Sequence, residues 1–216
     1  MATISSVGIR QSFSLIKKAY ENVGRKPVTT ASDLKLVLPL QSNKTAYTFP
    51  VLVGDDTNNY PESILLNRAD AFTATEMGLF IGLKSSNNDT AYDIFSYPNS
   101  NEFGVDADTL KTLFNAATID VTINNVQYLQ NFSCARFRNV GQSQQMAAGM
   151  STPAYQDQFD PTFGYYPIVP TLQLSGTAKI NVTLNLPSAL TLSGTTIVAM
   201  INFRGFLSLG ASNLNK

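Results

Sequence analysis

The chain has no histidine, no tryptophan and one cysteine in 216 residues, and only 14% of it is charged. Each shortage excludes something. Without histidine there is no Ser-His-Asp or Cys-His nucleophile and no histidine-containing zinc site. Cys134 alone builds neither an internal disulfide nor a thiolate metal cage. It lies in the alternating stretch Phe132-Ser133-Cys134-Ala135-Arg136-Phe137, which predicts a small buried thiol. Neither GxxxxGK[ST] nor GxGxxG occurs, so no phosphate loop is encoded. No run reaches the roughly 18 apolar residues of a membrane span. The start, Met1-Ala2-Thr3-Ile4-Ser5-Ser6-Val7-Gly8, lacks the apolar run of a signal peptide, and the expectation is a soluble product made in the cytoplasm and not exported.

The scarcity of charge has a further meaning. Soluble domains carry about 25% charged residues, which keep their surfaces solvated and apart. Here the polar positions of the predicted strands are Thr, Asn, Ser and Gln. Such a surface can be buried against a neighbour without stripping water from many ions, which is costly unless each is paired. The expectation is a structural or assembly part and not an enzyme, with no cofactor.

What is present is apolar and aromatic: 44% hydrophobic residues, thirteen Phe and nine Tyr, enough for a sizeable core and against disorder. Formal net charge is zero but unevenly placed. Residues 1–35 hold Arg10, Lys17, Lys18, Arg25, Lys26 and Lys35 against Glu21 and Asp33. Residues 54–110 hold ten acids against Arg68 and Lys84. That is either a set of solvated loops and one helix face, or a device: head-to-tail attraction between copies, or a basic arm turned toward a polyanion.

Ile9, Phe13, Ile16, Tyr20 and Val23 fall on one helical stripe, closed by Gly24 and Pro27. This predicts an amphipathic N-terminal arm, residues 1–30, docked either on its own domain or on a neighbouring copy. From there the period becomes two. Leu34, Leu36, Leu38 and Leu40, then Tyr47, Phe49, Val51 and Val53 across the connection Gln41–Thr45, read as an antiparallel pair. Pro39 and Pro50 suggest edge positions or bulges. Further strands are expected over Glu76–Leu83, Ala91–Tyr97, Ala178–Leu186 and Ile197–Leu209, the last a central one. A short helix is expected between Asp106 and Ala116, capped by Asp106 or Asp108. The cleanest hairpin is Ala117–Phe132, with Ile119, Val121 and Ile123 inward and Asn124-Asn125 turning with positive φ. The fold class is all-β, an antiparallel β-sandwich of jelly-roll type with the N-terminal helix and one short internal helix, residues 31–216 forming a single domain.

Residues 142–170 break the pattern as a long aromatic, Pro- and Gly-rich loop carrying Tyr155, Phe159, Phe163, Tyr165 and Tyr166. These aromatics, with Ile9, Phe13, Ile16 and Tyr20 of the arm, are the interface candidates. The same Tyr/Phe loop is also the basis of the alternative function, a carbohydrate-binding or adhesion module. Asp55, Asp56 and Glu62, or Asp89 and Asp93, are the residual carboxylates for a glycosidase-type pair, with solvated turn residues as the plainer reading. Gly54–Asn59 and Asn87–Thr90 cluster oxygen donors that would suit calcium, although Asx-turns explain both.

The run Leu66-Asn67-Arg68-Ala69-Asp70-Ala71-Phe72-Thr73-Ala74-Thr75-Glu76-Met77-Gly78-Leu79-Phe80 precedes Ile94-Phe95-Ser96-Tyr97-Pro98-Asn99, and Leu113-Phe114-Asn115-Ala116 opens the hairpin. Over residues 60–140 this resembles bacteriophage virion structural proteins whose coats are built of β-sandwich, often jelly-roll, subunits. The resemblance implies a capsid subunit in a symmetric homo-oligomeric shell, located in the virion. Its partners would be copies of itself and other virion proteins, with weak genome contact through the basic N-terminal arm, no cofactor and no active site. A double jelly roll would want about sixteen strands, twice the eight of one roll. The sequence offers nearer ten, which favours a single roll plus an arm.

Overall fold

The period-two runs become strands that face one another across a shared core. The computed structural model describes residues 13–14, 16–17, 27–55, 60–86, 89–139, 164–193 and 196–212. Among these the strands are β1 (Thr29–Pro39), β2 (Ala46–Phe49), β3 (Ala71–Lys84), β4 (Ile94–Phe95), β5 (Thr118–Ile123), β6 (Val126–Ser133), β7 (Tyr165–Ser175), β8 (Ile180–Asn185) and β9 (Thr196–Ser208). One sheet runs β1-β9-β3, with β7 and the two-residue β4 sharing the far side of β3. The other runs β2-β8-β5-β6, and every pairing is antiparallel. Early and late strands pair in nested order: β1 with β9, β2 with β8, β3 with β7, and β5 with β6. The chain is thus an all-β antiparallel sandwich.

The expected pairing of the first two runs is corrected. β1 pairs β9 and β2 pairs β8, so the two lie in different sheets. Both alternate apolar side chains into the same core, and alternation cannot distinguish neighbours in one sheet from partners facing across it. Pro39 does end an edge strand, as expected, and Pro50 follows another.

β3 and β9 carry the architecture. Of the fourteen residues of β3 only Thr75, Glu76 and Leu83 are less than fully buried. Phe72, Ala74, Met77, Leu79 and Ile81 enter the main core with Leu36, Tyr47, Phe49, Ile119, Val121, Val182, Leu184, Ile201 and Phe203. A register shift at Thr75 bends β3 against both of its neighbours, and Thr75 Oγ1 donates to the Arg204 carbonyl at 3.2 Å. Gly205 lies against that bulge, where a Cβ would collide with the Thr73 carbonyl. β9 is central as expected. β3 begins five residues earlier than its alternation predicted, because Ala71–Ala74 is buried on both faces and gives no alternating signal. Of the strand expected over Ala91–Tyr97 only Ile94 and Phe95 pair, with Gly82 and Ile81.

The internal helix spans Asp106–Asn115, preceded by a short helix Ser100–Phe103, and it buries Leu110, Leu113 and Phe114 as expected. Its cap is Val105, without a side-chain bond, and neither Asp106 nor Asp108 serves. Asp106 is buried, and its carboxylate accepts from Ser193 N at 2.8 Å and Ser193 Oγ at 2.7 Å, so it ties the segment before β9 to the helix instead. Cys134 opens a 3-10 turn, Cys134–Phe137, where burial pushes its thiol up to about 12. In the hairpin, Asn124 and Asn125 have φ of 49° and 66°, and Ile119, Val121 and Ile123 point into the core. Val121 is fully enclosed. Val121→Asp therefore places an unpaired carboxylate among Val182, Leu129 and the facing sheet, and should cost about 4 kcal/mol or more. Thermal melting of the variant checks it, and a melting temperature within a few degrees of wild type would contradict this register.

Candidate interaction surfaces

The two outer faces of the sandwich are built differently. On the β1-β9-β3 sheet the outward side chains are themselves apolar, and the chain covers them. Val37, Phe80, Val198 and Met200 are buried there beneath Tyr92, Ile94 and Tyr165. Gly82 permits this, since a Cβ on it would run into the Tyr92 ring. At the other end of the same face Ile16 packs on Ala71, Phe206 and Ala211, and the Phe13 ring lies 5.3 Å from that of Phe206. Phe13–Ser14 and Ile16–Lys17 are helical. The described part of the arm thus docks at home. Ile9 and Tyr20 lie outside the described residues, as do Tyr155, Phe159 and Phe163.

Tyr165 and Tyr166 are not loop residues: they open β7, on the edge of the sheet. Pro170 fits within the strand because residues 168–171 pair with nothing on β3, and Pro167, in register with Glu76, stands just before that break on an edge strand. Tyr165 accepts a hydrogen bond from Asn202 Nδ2 at 2.8 Å, tilts against Phe80 and carries the Arg204 guanidinium 3.5 Å from its ring centre. Burial, partly offset by Arg204, raises its phenol. Tyr166 accepts from Arg136 Nη1 at 2.7 Å, and the same guanidinium sits 4.9 Å from its ring centre and 5.1 Å from that of Phe132. Each tyrosine thus has a cation over one ring face.

The covered face encloses charges that the composition does not announce. Lys84, at the end of β3, donates from Nζ to Glu62 Oε1 at 2.8 Å, with the two side chains 2% and 3% exposed. Glu62 is therefore not a solvated turn carboxylate: its side chain is enclosed and paired with Lys84. The Lys84 ammonium also lies 5.5 Å from the Tyr92 ring centre. Burial, then the Glu62 charge, drives the Tyr92 phenol well above its ordinary value. Lys35 is half-buried beside them, its ammonium lowered first by burial and then by Lys84, against the opposing pull of Glu62. A cleft of about 260 Å³ opens nearby between Lys35, Phe80, Ile94, Tyr165, Met200 and Asn202. Glu62 Oε2, Ser63 Oγ, Tyr92 OH and Asn202 Oδ1 are enclosed on this side of the molecule without hydrogen-bond partners among the described residues. The readable signal for this cluster was Lys84 itself, an ion closing a strand that is apolar on both faces.

Of the remaining acidic candidates, Asp89 and Asp93 line one open cleft beside Lys84 and Tyr92. Asp55 pairs with Arg68 at 2.7 Å. Asp89 accepts from Ser85 N, Ser85 Oγ and Ala91 N, an Asx-type turn whose bonds lower its carboxyl. Asp93 is exposed, and Asp56 lies outside the described residues. Among the described residues no three carboxylate or thiol side chains gather as metal ligands, and no helix is long and apolar enough to cross a membrane.

The β2-β8-β5-β6 face is the opposite case. Its outward residues are Ala46 and Thr48 on β2, Asn181, Thr183 and Asn185 on β8, Thr118, Asp120 and Thr122 on β5, and Gln127 and Ser133 on β6. They align in rows, Thr48 beside Thr183 beside Asp120, and Asn181 beside Thr122 beside Gln127. The single carboxylate, Asp120, accepts from Asn131 N and from Asn185 Nδ2, each at 2.7 Å.

Compared with other proteins, the chain matches no family model, no curated protein and no solved structure. Its surfaces must therefore be judged on their own geometry.

Breaking the buried ion pair from one side leaves an uncompensated charge, which costs about 3–5 kcal/mol, whereas an apolar pair of similar volume is often neutral. Lys84→Met should accordingly destabilise the fold strongly, and Lys84→Met combined with Glu62→Leu should recover most of the loss. Urea unfolding of wild type and both variants measures this directly. A double variant no more stable than the single one would show that the pair has a role beyond neutralising itself.

Proposed function

We propose that the chain is a shell subunit of a virion, a single jelly roll that assembles into a symmetric homo-oligomer. The observation that carries this reading is the nested pairing of β1 with β9, β2 with β8, β3 with β7 and β5 with β6, distributed over two sheets. A long two-stranded ribbon with the β5–β6 hairpin at its tip, wound so that alternate segments fall in opposite sheets, produces this order, and eight strands in two sheets is the jelly-roll architecture of capsid and lectin domains. The low charge and the absence of histidine agree with a role in packing. The resemblance of residues 60–140 to bacteriophage coat subunits supplies the virion context.

The sandwich edges support the same reading by closing one route of association. β1 ends at Pro39 and is bridged at Lys35 by Ile64 of the loop before β3. β2 is four residues long and is followed by Pro50. β6 carries two register shifts and a positive φ at Asn131. β7 carries Pro167 and Pro170. These are the devices that keep edges from pairing with other chains. Copies of this subunit would therefore meet through faces and loops, and an open-ended sheet is disfavoured.

Electron microscopy and light scattering of the expressed protein over a concentration series test the proposal. Closed particles or defined oligomers are expected. A strict monomer at the highest concentrations, never found in virions, would sink it. Removal of residues 1–26 separates the role of the arm. Because Ile16 covers Ala71, Phe206 and Ala211 of its own sheet, the truncated chain should melt at a lower temperature, since each apolar side chain left uncovered forfeits about 1.5–3 kcal/mol. Unchanged melting with lost assembly would instead assign the arm to a neighbour.

A further inference from the structure

We propose that the outer face of the β2-β8-β5-β6 sheet is the surface through which a second copy of this chain docks, an inference that rests on the shell reading. The argument begins with what the chain leaves open. The sheet edges are closed by proline, brevity, bulges or a bridging loop. The outer face of the other sheet is buried under the arm and under Tyr92, Ile94 and Tyr165. No corresponding hydrophobic cluster forms over the β2-β8-β5-β6 face among the described residues. It is the one broad regular surface that the described chain does not itself cover or block.

Its chemistry selects the partner. Thr48, Thr118, Thr122, Thr183, Asn181 and Asn185 each carry a group that both donates and accepts, so a second copy of the same face can satisfy whatever it buries. Its one carboxylate, Asp120, is already engaged by Asn131 and Asn185, and docking one copy on another brings few bare charges together. A nucleic acid or a strongly basic or acidic protein would find little counter-charge here. Threonine and asparagine also lose less rotamer freedom on ordering than the lysine and glutamate that usually cover a solvated face.

Size sets how tightly the copies hold. Four strands about 4.8 Å apart and six residues rising about 3.3 Å each give a footprint of roughly 400 Å² per copy, half of the approximately 800 Å² per partner in a stable complex. The contact is therefore weak in an isolated pair and effective only when repeated with other contacts in an array.

The test uses the full chain carrying Thr183→Lys at the centre of the face, or Thr48→Lys on its exposed β2 rim, with Thr171→Lys on exposed β7 as control. Sedimentation velocity over a concentration series and thermal melting are read together. The expected result is unchanged melting, self-association weakened at least tenfold by either face variant and untouched by the control. Thr48→Lys keeps the test usable should Thr183→Lys lower stability. Particles forming normally in both face variants would overturn this inference and leave the shell reading standing. A wild-type chain that never associates would overturn both.

Discussion

The antiparallel pairing of β3 with β9 is the constraint from which the rest follows. The two strands run side by side from Ala71–Ser208 to Lys84–Thr196, apolar toward the core and, over much of their length, apolar toward the outside as well. A strand pair of this kind cannot leave either face to water. The core face is covered by the second sheet. The outer face needs a cover too, and the chain provides one from segments that are not themselves part of a third layer: a helical turn at one end, the segment before β4 at the other, and the opening of β7 beside it. The two-sided demand of one strand pair thus accounts for the position of the arm and for the placement of the loops.

That demand also explains which parts of the fold could be read in advance. Where one face of a strand is buried and the other wet, alternation is clean, and Ile119, Val121 and Ile123, or Ile180, Val182 and Leu184, were legible in number and direction. Where both faces are buried the signal vanishes, and the first residues of β3 went unseen. Pairing was less legible than strand position. β1 and β2 have the pattern of a hairpin, yet each finds its partner more than 130 residues away, because pattern fixes the face a residue occupies and not the strand beside it. Asp106 shows a related limit: an acidic residue at a helix start is a cap by local rules, and its use by Ser193 depends on contacts across 87 residues.

The interaction surfaces were legible in composition and illegible in place. Tyr165 and Tyr166 stand out in the sequence, but the Pro-rich stretch around them, which reads as loop, forms the edge of the sheet, with Pro167 just before an unpaired stretch that contains Pro170. Arg136 and Arg204, which occupy their ring faces, carry no sequence mark that links them to the tyrosines. The neutral character of the other sheet's outer face was readable directly from Thr118–Thr122 and Asn181–Asn185, since one alternation names the core and its complement names the surface.

A chain so poor in charge nevertheless encloses an ion pair, and the reason lies in the same covered face. The lysine at position 84 closes a strand whose outward positions are already under cover, and its side chain is almost wholly enclosed. A carboxylate brought in by the loop before β3 is the least costly remedy, because an isolated buried ammonium would either lose its proton or unfold the site. Once Glu62 is committed to Lys84, that loop is fixed in place, and the bridge between Ile64 and Lys35 puts it along the free edge of β1. Neutralising one buried charge thereby closes one sheet edge. The same interaction that completes the cover of one face removes a route for sheet extension, and it leaves the broad, neutral face of the opposite sheet as the one that the described residues do not cover.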